Sequence, residues 1–267
     1  MKILTPAEDN IIYAKWSLNF PQVNYSEIYP AVKSNITFAD IEENLKKELK
    51  RLKSKEIISL GFDSEIFSDD ETITKKIVNV FTILRQSGFP LMVASSVDSV
   101  LQFMDLLKLQ TKNYCQVFIK IPSFDNSILQ VMQPGFPLFE QRLNIVKTLN
   151  DNNISAGVLI SPVMPRINDS SENFKNIIEA SAKHSAKFIM YQKLFSVAGG
   201  AKENFLRNIE LRFPHLYDYY NVELLAKDYI KSQSFMELTN VFVRTAGQFG
   251  ISTRPEEYRP PKQLSLF

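Results

Sequence analysis

The sequence has very little cysteine. Cys115 is the single cysteine among 267 residues, so the chain can form neither an internal disulfide nor a multi-cysteine metal site. A chain of this length buries a substantial core without such cross-links. A reducing cytoplasm is the compartment that this composition favours. We therefore expect a cytoplasmic protein in which Cys115 is a buried core thiol.

The sequence also has no long apolar run, few histidines and a small net charge. No segment approaches the roughly 20 apolar residues of a membrane-spanning helix, and residues 1–10, MKILTPAEDN, lack the apolar region of a signal peptide. The net charge is +2, and residues 46–55 are interpreted as the solvated face of a helix rather than a nucleic-acid patch. Neither His184 nor His215 has a neighbour at metal-ligand spacing, which favours surface or capping roles. We expect no membrane association.

Short β-type runs rich in Val, Ile, Leu and Phe alternate with helical segments. The predicted strands are residues 56–61, 90–95, 116–121, 155–160 and 187–192. The predicted helices are residues 38–53, 71–87, 98–109, 139–152 and 170–185. Strands separated by helices indicate right-handed βαβ units and a parallel sheet. The predicted fold is α/β, a partial barrel with ligands at the carboxyl ends of its strands.

The pattern changes after Gln192. Residues 203–213, 221–231 and 234–249 are predicted as helices, with no further strand. Prolines after residue 251 favour an extended tail. The predicted division is a barrel at residues 1–200, a helical extension packed on it at 201–250, and an extended tail at 251–267.

Common catalytic motifs are absent from the sequence, including the P-loop, the dinucleotide-binding glycine pattern and the zinc-protease histidine pair. Five loop acids are candidates for a carboxylate pair at the barrel mouth: Asp63, Glu65, Asp69, Asp125 and Asp169. Asp69-Asp70 is interpreted as a helix cap. Five aromatics offer either core packing, which we favour, or a base-stacking surface for nucleic acid: Phe62, Phe67, Phe124, Phe136 and Phe139.

Residues 139–221 carry the most specific pattern. The features are a helix with Arg142-Leu143, a strand followed by Ser161-Pro162, Pro165 and Asn168-Asp169, and a helix ending at Phe213-Pro214. This pattern resembles the spore-photoproduct-lyase-like branch of the radical S-adenosylmethionine proteins. The resemblance extends over most of the chain and implies a partial (β/α)6 barrel, in agreement with the alternation of strands and helices.

The resemblance also implies three cysteines, spaced C-x3-C-x2-C before Tyr-Ala-Arg, that hold three irons of a [4Fe–4S] cluster. Here Tyr13-Ala14-Lys15 stands at the Tyr-Ala-Arg position, and the cysteine positions fall on Thr5, Asp9 and Ile12. Isoleucine has no ligand atom, and Asp9 alone cannot hold a cluster. We expect neither an iron–sulfur cluster nor S-adenosylmethionine as cofactor, and no residue is assigned as catalytic, cofactor-binding or metal-binding.

Other positions at strand ends depart from the family pattern. Ala94-Ser95 stands in place of Thr-Lys, Lys120 in place of a small hydroxyl residue, and residues 194–197 in place of Leu-Arg-Leu-Pro. These changes lie where an active site of this architecture would be, whereas the apolar helix faces remain. The pattern is typical of a pseudoenzyme.

The last five residues match the bacterial sliding-clamp-binding pentapeptide, Gln-Leu-(Ser/Asp)-Leu-Phe. They are Gln263, Leu264, Ser265, Leu266 and Phe267, after Pro260-Pro261. The expected partner is a DNA sliding clamp. The alternative is a tail that docks its apolar residues on the barrel itself.

We therefore expect a catalytically degenerate radical S-adenosylmethionine-like protein that acts as a binding or adaptor protein in DNA repair or replication. Three alternatives stay open. The first alternative is an enzyme of the radical S-adenosylmethionine superfamily, and the second is a barrel enzyme with new carboxylate-based chemistry. The third is a non-catalytic subunit that completes a partner's site.

Overall fold

The computed structural model describes residues 3–7, 14–18, 41–197, 201–225 and 227–260. Seven strands form one sheet in the order of the chain. They are β1 (Leu4–Pro6), β2 (Trp16–Leu18), β3 (Ile58–Leu60), β4 (Leu91–Ser95), β5 (Cys115–Lys120), β6 (Ala156–Ile160) and β7 (Ile189–Tyr191). The first two strands are antiparallel, and each pair from β2 to β7 is parallel. The predicted α/β fold class is confirmed.

Helices connect successive parallel strands, as βαβ units require. They are α1 (Ile41–Leu49), α2 (Glu71–Gln86), α3 (Met104–Gln110), α4 (Asn126–Met132), α5 (Phe139–Asp151) and α6 (Ser171–Lys183). A 3-10 turn over Asp98–Phe103 precedes α3. The outer face of the sheet and the apolar faces of these helices form the main core, in which Leu45, Val80, Val117, Leu143 and Ile177 are fully buried.

Three more helices follow the sheet: α7 (Lys202–Arg212), α8 (Tyr217–Leu225) and α9 (Phe235–Gln248). A second core joins α7 and α8 to α4 through Phe205, Tyr220 and Met132. In contrast, α9 buries Leu238 and Phe242 in the main core beside α6. The predicted division into three segments stays a prediction.

Two expectations for the region after Gln192 are wrong. Strands β8 (Phe195–Ser196) and β9 (Tyr229–Ile230) form an antiparallel pair, although no further strand is expected there. The helix expected at residues 221–231 is instead α8, which begins at Tyr217, directly after the 3-10 turn at Pro214–Leu216. Tyr229 and Ile230, which the sequence predicts to be helical, instead pair with Ser196 and Phe195 in the small sheet.

Candidate functional site

The carboxyl ends of the parallel strands carry several polar side chains. Asp63 follows β3, Ser96 follows β4, Lys120 ends β5 and Ser161 follows β6. In βα barrels this end of the sheet is where loops build binding and catalytic sites. We call this end of the barrel the mouth, and the opposite end, where the strands begin, the foot.

Lys120 is buried at the mouth. Its Nζ donates a hydrogen bond to the carbonyl oxygen of Gly61, 3.0 Å away. Gly61 adopts a φ of +82°, and a Cβ at this position would lie 2.2 Å from the carbonyl oxygen of Ala94. A glycine is therefore required there, and the close approach of its backbone to β4 leaves its carbonyl available to the lysine.

Asp63 lies on the same loop and faces solvent. Neighbouring protein desolvates its carboxyl group and raises its pKa above the ordinary value, while the Ser17 hydroxyl and the positive charge of Lys120 act in the opposite direction. The Ser17 Oγ donates to the Asp63 Oδ2 at 3.2 Å. A side chain that reaches solvent and is still desolvated is typical of a concave surface.

Glu65 has a structural role. Its Oε1 accepts hydrogen bonds from the backbone amides of Ile66 and Phe67 and from the Ser95 hydroxyl, and its Oε2 accepts from the amide of Ser96 at 2.6 Å. These bonds satisfy a buried carboxylate and connect the loop after β3 to the end of β4.

The other candidate acids serve loops and helix ends. Asp69 accepts from Ser99 and Gln102, and Asp125 caps α4, where hydrogen bonds from Ser127 hold the pKa of its carboxyl below the ordinary value. Asp169 accepts from the amide of Arg166 and the hydroxyl of Ser232. Within the described ranges, no hydrogen bond or shared partner joins any two of the five candidate acids.

Helix capping explains further polar residues. Asp70 caps α2 by accepting from the amides of Thr72 and Ile73, which confirms the cap predicted for the Asp69-Asp70 pair. His184 is the C-cap residue of α6, and His215 lies in the 3-10 turn after α7.

Aromatic side chains fill the inner face of the sheet. The Phe118 ring lies 4.7 Å from that of Phe188 and 5.1 Å from that of Phe62, centroid to centroid. On the neighbouring strand, a Cβ at Gly157 would lie 2.3 Å from the Phe188 carbonyl oxygen and 2.5 Å from its ring. Glycine at this position is what allows the Phe188 ring to enter the barrel.

The aromatics considered for base stacking do not form one surface. Phe67 is fully buried and packs against Phe103, while Phe136 and Phe139 belong to the main core. Phe124 packs partly buried against that core, and Phe62 packs against the inner-face cluster. Core packing, the interpretation favoured from the sequence, accounts for most of the set.

The residues at the expected ligand positions do not fit an iron–sulfur cluster. Thr5 pairs with Ser17 in the antiparallel β1–β2 ladder, and Asp9 and Ile12 lie outside the described residues. Lys15, at the position of the family arginine, forms an ion pair with Glu56 at 2.6 Å. Across the described segments, no three His, Cys, Asp or Glu side chains are grouped as metal ligands would be.

Cys115 cannot supply the missing thiolates. It begins β5 and therefore lies at the foot, about 16 Å along the strand from Lys120. Burial raises the pKa of its thiol to about 12, so the thiol is protonated at neutral pH and is a weak metal ligand. Its predicted place in the core is confirmed.

The residues that carry the family pattern connect loops near the mouth. Arg142 is fully buried; its Nε donates to the carbonyl of Pro137 and its Nη1 to that of Lys120. The amide group of Asn168 donates to the carbonyls of Pro122 and Pro162. These bonds fix the ends of β5 and β6, so the retained residues serve the scaffold.

The sequence patterns described above do not point to two polar residues near the mouth, Asn173 and Ser96. Asn173 bonds the carbonyls of Pro122 and Asn168 from the first turn of α6, and a polar residue in an otherwise apolar helix face is the signal that points to it. The Ser96 hydroxyl is fully buried and has no hydrogen-bond partner among the described residues, a property without a sequence signature.

The segment after α9 crosses the foot of the barrel. The Ser252 carbonyl accepts from the amide of Ile189 at 2.8 Å, and the Tyr114 hydroxyl donates to the Glu256 carbonyl at 2.6 Å. The Tyr258 ring packs edge-on against Tyr114, with centroids 5.4 Å apart. Much of this segment is solvent-exposed, including its last two residues, Arg259 and Pro260. The predicted partner-binding residues, 263–267, lie outside the described residues.

The basic residues at 46–55 lie on a solvent-exposed surface, as the sequence predicts. The lysines of residues 46–55 are solvent-exposed on and after α1. No helix in the described part of the chain is long and apolar enough to cross a membrane.

Comparisons with known proteins support the fold. No family model matches the chain. An uncharacterized Methanocaldococcus jannaschii protein, MJ0683, is 25% identical over 190 residues, which cover 71% of this chain and 69% of that protein. Spore photoproduct lyase complexed with dinucleoside spore photoproduct superposes with a TM-score of 0.64 and 14% identity, over 92% of this chain and 76% of that one.

A second structure of that lyase superposes less closely. It is a mutant with bound AdoMet and dinucleoside spore photoproduct, and it has a TM-score of 0.55 and 16% identity, over 82% of this chain and 65% of that one. At these identities the likeness establishes the fold alone, an α/β barrel like that of spore photoproduct lyase.

Proposed function

We propose that this protein is a catalytically degenerate member of the radical S-adenosylmethionine-like barrels and acts as a binding or adaptor protein on a DNA sliding clamp. The observation that carries the proposal is the course of the segment after α9. This segment contacts the foot through Ser252, Glu256 and Tyr258, and its last residues, Arg259 and Pro260, are exposed shortly before the clamp-like peptide in the sequence.

The side chains of residues 263–267 suit binding in an apolar groove on a partner protein. Leu264, Leu266 and Phe267 offer three apolar anchors, each worth about 1.5–3 kcal/mol when fully buried. Gln263 donates and accepts hydrogen bonds at a rim, and Ser265 is small enough to face outward. Pro260-Pro261 stiffens the approach and lowers the ordering cost. We expect a dissociation constant on the order of micromolar, because ordering and association offset most of the gain.

Loss of the original chemistry is supported by the residues of the barrel. The donor set at positions 5, 9 and 12 lacks thiolates, and the only thiol is buried at the foot. Phe118, Phe188 and Phe62 occupy the inner face. A charged Lys120 would oppose the sulfonium of S-adenosylmethionine. We expect weak or no binding of that compound, and low-micromolar affinity by calorimetry would revive the enzyme alternative.

The test of the adaptor role is a titration of the host's sliding clamp with the intact protein and with a Leu266→Ala, Phe267→Ala double variant. The double variant should lose at least about tenfold in affinity, because two apolar anchors are removed. The matched control is Leu211→Ala, Val222→Ala, which truncates two exposed apolar side chains on α7 and α8 and should bind as the wild type does. Equal binding by the wild type and the tail variant would refute the proposal.

A second candidate has one observation in its favour. Asp63 lies at the mouth, and its carboxyl group has a raised pKa and interacts electrostatically with Lys120; acids with perturbed pKa values are enriched in catalytic sites. A carboxylate-based activity predicts a reaction that Asp63→Asn abolishes while leaving clamp binding unchanged, which separates the two functions.

A further inference from the structure

Two hydrogen-bond donors at the mouth are incompletely used. Lys120 is buried, and within the described part of the chain its ammonium group has one acceptor, the carbonyl of Gly61. Ser96 is also fully buried, and its hydroxyl has no partner among the described residues. An ammonium group has three N–H donors, so two N–H groups of Lys120 and the O–H group of Ser96 have no acceptor among the described residues.

The sheet places these two donors side by side. Strands β4 and β5 are parallel with Ser95 opposite Ile119. Continuing the register by one residue sets Ser96 opposite Lys120. Side chains alternate along a strand, and Ser95 points to the helix side, where its Oγ contacts Glu65. Lys120 therefore shares the inner face with Phe118, and Ser96, which directly follows β4, lies beside it in the chain's course across the mouth.

Burial of such donors is costly. A buried hydroxyl without a partner costs about 1–3 kcal/mol, and an ammonium group costs more. Native proteins satisfy nearly all buried polar groups, and the exceptions concentrate at functional sites. Neither the strand register nor the packing of the barrel requires these polar groups. An alanine in place of Ser96 and an unbranched apolar side chain in place of Lys120 would fill the same space.

Asp63 does not neutralise the pair. It attracts Lys120 electrostatically, yet no ion pair within 4 Å joins these two residues, and the carboxylate accepts from Ser17 instead. The Asp63 side chain faces solvent. The positive charge of Lys120 thus has no contacting counter-charge among the described residues.

We propose that Lys120 and Ser96 form a binding site for a compact anionic group, a carboxylate or a phosphate monoester carried by a small ligand. The ammonium group supplies the charge and two N–H donors, and the serine hydroxyl supplies a third donor. Phe62, partly exposed and packed against Phe118, offers an apolar contact to the remainder of the ligand. Asp63 lies nearby and lowers the affinity for anions. The site is at the opposite end of the barrel from residues 252–258, so it does not depend on the proposed clamp binding.

The test is isothermal titration of the full-length protein with inorganic phosphate and, in a separate arm, with sodium acetate, at constant ionic strength set with sodium chloride. Saturable binding in one arm identifies the phosphate or the carboxylate source. Lys120→Met should weaken that binding by about 10- to 100-fold, the loss of a charged hydrogen bond. Ser96→Ala should weaken it by about 3- to 10-fold, and Asp63→Asn should tighten it, because a repelling charge is removed.

The matched control is Lys108→Met, which removes an exposed lysine on α3 and should leave the affinity unchanged. If Lys120→Met does not fold, Ser96→Ala and Asp63→Asn still test the site, since their effects have opposite signs. Removal of residues 261–267 should leave anion binding intact. No saturable binding in either arm, or equal binding by the wild type and both Ser96→Ala and Asp63→Asn, would overturn the proposal.

Discussion

The two ends of the barrel differ in how far the chain covers them and pairs their polar groups. At the foot, the chain covers its own strand ends with the segment after α9, through the contacts of Tyr114, Ser252 and Tyr258. At the mouth, the Asp63 side chain faces solvent, and the buried Ser96 hydroxyl has no hydrogen-bond partner among the described residues. The difference indicates that the foot is closed by the chain's own residues 251–260, while the mouth keeps polar groups that are available to a ligand.

The largest effect is expected from a substitution on the inner face. Gly157→Ala places a methyl group 2.3 Å from the Phe188 carbonyl oxygen and 2.5 Å from its ring. Such overpacking costs about 1–3 kcal/mol or more, so urea unfolding should show a lower midpoint. Gly247→Ala is the control, because nothing lies within 4 Å of its added Cβ in α9, and alanine favours a helix by up to about 1 kcal/mol. Equal stability of the two variants would show that aromatic packing does not fill the barrel.

A smaller effect is expected at the foot. Tyr114→Phe removes the hydrogen bond to the Glu256 carbonyl, worth about 0.5–1.5 kcal/mol. The amide of Ile189, which donates to the Ser252 carbonyl, should then exchange with solvent roughly 2- to 12-fold faster. Tyr229→Phe, on the exposed β9, is the control and should leave this amide unchanged. Unaltered exchange in Tyr114→Phe would contradict the anchoring of the tail.

The smallest effect concerns the pH dependence of the mouth. Burial raises the pKa of Asp63 above its ordinary value of 3.8, so folding favours the protonated carboxyl. Its contribution to stability is present below the ordinary value and is lost as pH rises through the raised pKa. The free energy of unfolding of Asp63→Asn relative to the wild type should therefore increase as the pH rises above the ordinary value, by less than about 1 kcal/mol for a solvent-accessible group, and thermal unfolding at a series of pH values measures it. A relative stability that falls with pH would contradict a desolvated Asp63.

The sequence predicts the barrel better than its short elements. Five strands and the helices between them are found within a few residues of the predicted ranges, because buried apolar runs and amphipathic helices have strong periods. Strands β1 and β2 and the β8–β9 pair have two or three residues each, too few for a period. Helix α4, seven residues long, is missed for the same reason.

The candidate site is only partly predictable. Asp63 is singled out as a loop acid after a predicted strand and Lys120 as a departure from the family pattern at a strand end, and both are at the mouth. Glu65 and Asp125 have the same sequence character yet serve the backbone, because nearby amides and hydroxyls take up their oxygens. Such assignments depend on contacts between residues distant in the chain, which composition and spacing do not contain.

The most direct test of the account is iron and acid-labile sulfide analysis after anaerobic reconstitution, with spore photoproduct lyase treated in parallel. The resemblance places Thr5, Asp9 and Ile12 at the positions of the cluster cysteines, and Cys115 is a buried, protonated thiol at the far end of β5. The account predicts a colourless protein without stoichiometric iron or sulfide. Stoichiometric iron and sulfide, with a visible charge-transfer band, would contradict it.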